Sequence, residues 1–276
     1  MNELVEEIRP LSPIEERKIF NVFSQLAIGT QIGFNALQRQ SLHNLATVAL
    51  FSDKKLAINV SSLTAGLSSR ILSQGVVTYP CLQIRKYLTE NTDQPKFAIT
   101  FATSLVDTSI GVPLEVNSSL KTLKTLGIDI SKKDLLMVSS KSFVPFFLRN
   151  CITWAAINDN SQESLFGKAC NAAFAGLAST VPHNIGMKVV EYSSVKSVGE
   201  VVDLVKSDIN LNPRILMKGA GFRVAATIGS VFCLSSNLTQ ILEEGGRKFF
   251  GAEKPSSSIV GVSSQKVLDS ERGRQQ

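Results

Sequence analysis

Apolar residues recur at helical spacing through six long stretches of this chain, each interrupted by small and polar residues. The pattern predicts helices over 19–49, 62–88, 96–124, 143–158, 165–192 and 214–244. Polar links separate them. Short helical stretches are expected within two of these links, at 123–138 and 198–209. The second carries apolar residues on one side and acids on the other, the pattern of an interfacial helix. Residues 1–17 are polar and acidic. Residues 245–276 are rich in Ser, Gly, Lys, Arg and Gln and are expected to be disordered.

The stretches also repeat. Phe97 to Pro113 and Phe166 to Pro182 both open on Phe, run through small residues and close on Val-Pro after the same step. A weaker copy begins at Gly33, where GFNALQRQSL matches GVPLEVNSSL from Gly111 and places Asn35 at the position of Pro113. Downstream, SLTAGLSSRI from Ser62, SFVPFFLRNC from Ser142 and GAGFRVAATI from Gly219 align. Three copies of a two-segment unit are expected, over about 18–92, 93–162 and 163–244. Kinks are expected at Pro113 and Pro182, because a mid-helix proline removes one hydrogen bond. Asn35 keeps its N–H and predicts a milder bend or none.

Composition sharpens this picture. Only 19% of the 276 residues are charged, against about 25% in an ordinary globular chain. Mean hydropathy is slightly positive at +0.12. Several stretches approach the roughly 20 residues needed to cross a bilayer. The net charge of +6 is spread over short basic pairs with little aromatic interleaving, so no nucleic-acid partner is expected. The N-terminal residues have neither a secretory apolar core nor the composition of a mitochondrial presequence.

Candidate chemistry is sparse. The four cysteines are widely spaced and read as small hydrophobes. His43 and His183 lack metal-ligand spacing, and no Walker loop, GxGxxG or nucleophile elbow is present. No metal, cofactor or enzyme activity is expected. Isolated arginines are the exception. Arg70, Arg149 and Arg223 lie in apolar runs, where a charge needs a polar cavity or a partner.

The ordered repeats and prolines resemble the mitochondrial carrier family. The resemblance covers about residues 18–244. It implies an all-α membrane protein of six transmembrane helices in three tandem two-helix repeats, with pseudo-threefold symmetry and short interfacial helices. The family's P-x-[DE]-x-x-[KR] gate is degenerate here. Pro113, Glu115 and Ser118 stand in the second copy, and Pro182, Asn184 and the displaced Lys188 in the third. The first offers Asn35, Arg39 and Gln40. The resemblance makes Arg39, Gln40, Pro113, Glu115, Ser118, Pro182, Asn184 and Lys188 gate residues. Substrate contacts fall at Arg70, Arg149, Asn150, Arg223 and Ala226, where guanidinium forks suit carboxylate or phosphate.

Membership of that kind implies transport of an anionic metabolite by alternating access. The short chain and polar tail are similar to a bacterial member of the family sent into host mitochondria, which points to nucleotide antiport, with ATP favoured, by a secreted effector. The Arg149–Asn150 pair points instead to a keto-acid or carboxylate carrier. The weak gates leave a third alternative, a non-transporting carrier-fold membrane scaffold. The partners expected are a small anion, nucleotide or carboxylate, and membrane lipid. The protein is expected to be a monomer in the mitochondrial inner membrane.

Overall fold

The structure is a computed structural model, and it describes residues 13–51, 60–128, 135–158, 164–192 and 197–233. The chain divides into two compact units, residues 1–28 with 236–276, and residues 29–235. Of the first, only 13–28 are described, as the start of a long helix. The expectations for residues 1–12, for 129–134 of the 123–138 link, for the end of the 214–244 helix and for the disordered 245–276 tail lie outside the described residues; the described ends of that link belong to the long helices over Lys96–Thr125 and Leu135–Asn158 and to the turn after the first.

The described secondary structure is all helical. The long helix α1 spans Pro13–Leu50. The α2 (Val60–Thr64), α3 (Leu67–Leu72) and α4 (Tyr79–Asn91) segments follow, with a π-helical turn over Ser73–Thr78 between α3 and α4. Then come α5 (Lys96–Thr125), α6 (Leu135–Asn158), α7 (Leu165–Ala178), α8 (Thr180–Tyr192), α9 (Val198–Leu211), a 3₁₀ turn over Pro213–Met217, and α10 (Ala220–Cys233). In the 29–235 unit, α5 packs on α6, α6 on α8, and α7 on α10.

The expected six-helix plan is corrected at its breaks. The 62–88 stretch is not one helix. Gly66 takes φ +78° between α2 and α3. A Cβ there would also lie 2.8 Å from the Ser118 Cα, so only glycine fits. Further on, Pro80 has no N–H to offer Val76, and the ladder shifts so that Tyr79 N–H bonds the Gln74 carbonyl in the π turn. The 165–192 stretch breaks at Ser179, which puts Pro182 in the first turn of α8 and not in a helix interior. Pro113 does lie inside α5, and so does Pro145 inside α6. The two Val-Pro copies therefore occupy different helical positions, and no clear threefold pattern emerges. Among the described residues two helical stretches are long and apolar enough to cross a membrane, Lys96–Thr125 and Pro213–Cys233. The six-transmembrane, pseudo-threefold fold class is not what these helices form.

Polar side chains fill much of the interior. Asn35, Gln40, Ser104, Thr108, Ser118 and Thr122 are fully buried. An apolar cluster closes one region, with Phe146, Leu123, Val116 and Met187 at its centre. Large apolar residues lie outside instead: Phe97, Phe166 and Phe174 are each more than 70% exposed.

Candidate functional site

Helix breaks set the positions of the interior arginines. Arg70 comes one turn after Gly66, and Arg223 one turn after Gly219, which has φ +74°. Both breaks are held by a distant asparagine. Asn44 Nδ2 donates to the carbonyls of Ser62 and Leu63 at 2.8 Å and of Ala65 at 3.2 Å. Asn184 Nδ2 donates to those of Ile215, Leu216 and Lys218 at 2.9 to 3.1 Å. The two sets have the same spacing and sit directly before the two glycines. Each satisfies carbonyls that the interrupted helix leaves open. Arg149 likewise comes one turn after Pro145 in α6.

These arginines meet around Glu115 of α5. Arg149 grips the carboxylate with two nitrogens, Nη1 on Oε1 and Nη2 on Oε2, the latter at 2.6 Å. Arg149 also donates to Asn150 Oδ1, whose amide donates to Thr108 at 3.0 Å. Arg70 Nη2 is 3.7 Å from Glu115, and its Nε donates to Gln40 Oε1 at 3.0 Å. Ser118 donates to the same Gln40 oxygen at 3.0 Å. Burial alone would raise the Glu115 carboxyl, but Arg149 and Arg70 outweigh it and hold it well below the usual carboxylate range.

A small cavity of about 30 Å³ opens among Arg39, His43, Arg70, Glu115, Arg149, Thr153, Arg223, Ala226 and Thr227. Four guanidiniums and one carboxylate line it, and burial, followed by Arg149, holds Arg223 well below the usual guanidinium range. Burial, followed by Arg70 and Arg149, brings Arg39 down to about 10. Arg70 is lowered by burial and pulled back by Glu115. His43 is held well below the usual imidazole range by burial and then by Arg70. His183 is held there by burial, Arg223 and His43. Both rings are therefore neutral. Two of the lining residues carry a buried polar atom with no hydrogen-bond partner among the described residues, His43 Nε2 and Arg223 Nε.

Of the residues singled out in the sequence, Arg39, Arg70, Glu115, Arg149, Arg223 and Ala226 come together around this cavity. Asn150, Gln40 and Ser118 support them through the bonds above. The remainder lie elsewhere. Asn184 holds the break before Gly219, and Pro113 and Pro182 shape helices. Lys188 pairs with Glu191 at 2.9 Å and Asp208 at 3.0 Å, tying α8 to α9. Glu115 does have a base, from a helix 34 residues on and not from its own turn. The sequence set His43 and His183 aside for want of metal-ligand spacing, and Thr153 and Thr227 were not among its site residues. A signal for three of them exists: they stand four residues after Arg39, Arg149 and Arg223, on the same helical face.

His43, Glu115 and His183 also form a group whose donor atoms lie within 4.8 Å of one another. Two imidazoles and a carboxylate suit a transition metal in type. The surroundings do not. Both Glu115 oxygens are taken by Arg149, and four guanidiniums would repel a dication.

No family model, curated protein or solved structure matches this chain. The resemblance to the mitochondrial carrier family is therefore corrected. The ordered repeats and prolines were its support, but the two Val-Pro copies occupy different helical positions, and the structure assigns the gate residues to helix breaks, a buried polar network and the α8–α9 ion pairs. Nucleotide antiport or carboxylate transport by alternating access falls with it. So do the carrier-fold scaffold, the secreted bacterial effector and the placement in a mitochondrial inner membrane.

Proposed function

We propose that this protein binds a small anion, an oxyanion or short carboxylate, in the arginine cavity. The observation that carries this is Arg223, which lines the cavity and whose buried Nε has no hydrogen-bond partner among the described residues. A buried donor left unmade costs about 1–3 kcal/mol, and an anionic acceptor there recovers it. A lining of four guanidiniums against one carboxylate favours the same occupant. Guanidinium forks add geometric selectivity for planar or tetrahedral oxygens. Binding fits better than catalysis. Thr153 and Thr227 donate to the backbone carbonyls of Arg149 and Arg223 and are not poised as nucleophiles. Titration calorimetry of the full chain with phosphate, sulfate and succinate tests the proposal. Saturable one-to-one binding that Arg223→Ala weakens is the expected result. Absence of saturable binding to all three anions sinks it.

The outer face favours a second partner, lipid acyl chains. Phe97, Phe101, Phe147 and Phe143 form a line of ring contacts, with centroids 5.3 to 6.3 Å apart, along α5 and α6. Phe97 is 79% exposed at its end. Apolar patches of this kind mark interaction surfaces. This concerns contact with lipid, not six crossings of a bilayer. Flotation with phosphatidylcholine vesicles checks it: the chain should float, and Phe97→Glu with Phe101→Glu should reduce that. Wild-type protein that stays at the bottom of the gradient excludes this partner.

A further inference from the structure

Asp107 is a partly buried carboxylate with no counter-ion among the described residues. It stands on α5 about two turns before Glu115. Neutral donors hold its oxygens instead. Trp154 Nε1, from α6, donates to Oδ2 at 3.0 Å, and the Thr78 hydroxyl of the π turn lies 3.5 Å from Oδ1. Arg85 of α4 covers the Trp154 ring at 5.1 Å but does not turn to the acid. It donates to the Trp154 carbonyl at 2.8 Å and to the Thr100 hydroxyl at 3.3 Å. A carboxylate held by neutral donors keeps its charge less readily than one gripped by a guanidinium. Burial pushes Asp107 above the usual carboxylate range, and the Trp154 hydrogen bond, then Arg149 and Arg39, pull it only part of the way back.

The same carboxylate is tied to the arginine cavity. Thr108, beside it on α5, accepts from the Asn150 amide, and Asn150 Oδ1 accepts from Arg149. Thr153, beside Trp154 on α6, lines the cavity. The charged groups that act on Asp107 are Arg39 of α1, Arg70 of α3, Arg149 of α6 and, from its own helix, Glu115. Cys81 of α4 adds a thiol that burial and Asp107 push up to about 11. An anion seated among these arginines cancels part of the positive charge that favours ionised Asp107. We propose that anion binding in this cavity is coupled to the uptake of one proton from solvent by Asp107. This rests on the anion-binding function proposed above. The coupling is reciprocal: protonated Asp107 no longer repels an incoming anion, so affinity rises as pH falls. A protonated carboxyl still has an oxygen to accept from Trp154, so the contact between α5 and α6 is kept in both states.

Calorimetry of the full chain with phosphate, sulfate and succinate, wild type beside Asp107→Asn, tests this. Asparagine keeps an acceptor for Trp154 Nε1 and copies the uncharged state. At about pH 8 the variant should bind each anion that the wild type binds at least about fivefold more tightly, the lower end of typical coupling. At about pH 5 the two affinities should converge, and each anion's own titration cancels in their ratio. Equal affinities at the higher pH, or one ratio at both, overturn the coupling and leave the anion site standing. Binding of none of the three anions overturns both. If Asp107→Asn fails to fold, the emission of Trp154, the one tryptophan of the chain, decides. It should change on acidification from about pH 8 to 5, with a midpoint that saturating sulfate or phosphate moves to higher pH. A midpoint that neither anion moves overturns the inference.

Discussion

Arg149 and Glu115, from two different helices, share a two-point ion pair sealed from solvent, with the Arg149 side chain 6% exposed and that of Glu115 7%. Desolvating both groups is expensive, and the pair persists because geometry and neighbours complete it. Asn150 Oδ1 accepts from Arg149 Nε and Nη2, His183 Nδ1 lies 3.4 Å from Arg149 Nη1, and Arg70 stands behind the carboxylate. The pair also neutralises one guanidinium of four, which leaves the other three to act on whatever enters.

Glu115→Gln should therefore destabilise the fold strongly. Breaking a buried pair by removing one partner costs about 3–5 kcal/mol, because the remaining charge is stranded. Thermal unfolding in chloride buffer should show a clear loss of Tm. Added phosphate should restore part of it, since an anion in the cavity replaces the missing negative charge. An unchanged Tm would mean that Glu115 contributes little to the closed interior.

Arg223→Ala should behave in the opposite way. Its Nε has no partner among the described residues, so truncation removes a binding group and relieves positive crowding. Anion affinity should fall about ten- to a hundredfold, from the roughly 1.5–3 kcal/mol of a charge-assisted hydrogen bond. Stability without anion should stay equal or rise. Calorimetry and unfolding of the same variant separate the two effects. Arg223→Lys should recover affinity only in part, because an ammonium lacks the fork.

Acid should weaken the fold in two steps. His43 and His183 are held neutral when folded and take up protons near 6.5 when unfolded. The unfolded state then binds more protons, so stability falls as pH drops below about 6.5. Glu115, held low, contributes stability above about 4.5 that is lost on further acidification. Denaturant midpoints across pH should show the first decline. His43→Phe should flatten it. A midpoint independent of pH between about 7 and 5 would contradict the neutral histidines.

Gly66→Ala should cost several kcal/mol. The left-handed φ disfavours any Cβ by about 1–3 kcal/mol, and the added atom meets the Ser118 backbone. Asn44→Leu tests the same break from its other side, leaving three carbonyls without their donor. Chemical unfolding of both should place them among the more damaging single changes. Wild-type stability in both would show that the break is not held by these contacts.

Much of the helical content was legible in the sequence. The 96–124 stretch matches α5 to within a residue, because its apolar and small residues keep one period throughout. The breaks were not legible. What stabilises them is Asn44 and Asn184, which act across the fold and leave no trace in the local pattern. Pro182 misled for a related reason: its position relative to Val181 repeats that of Pro113, but the turn at Ser179 precedes it. The arginines stood out because a lone charge in an apolar run is conspicuous. The histidines did not, since nothing in their spacing suggests two neutral rings 5.1 Å apart.

Arg70, Arg149 and Arg223 are separated by unequal lengths of chain, yet they reach one cavity. Each stands a single turn beyond its own landmark: Gly66, Pro145 or Gly219. At Gly66 and Gly219 the break resets the phase of the helix, so residues gained or lost upstream do not rotate the arginine away from its neighbours, whereas Pro145 lies within the continuous α6. Drift in length is absorbed before each of the two glycines, and only the four-residue interval after it must be kept. A designer wishing to move one guanidinium without disturbing the others would alter that interval alone.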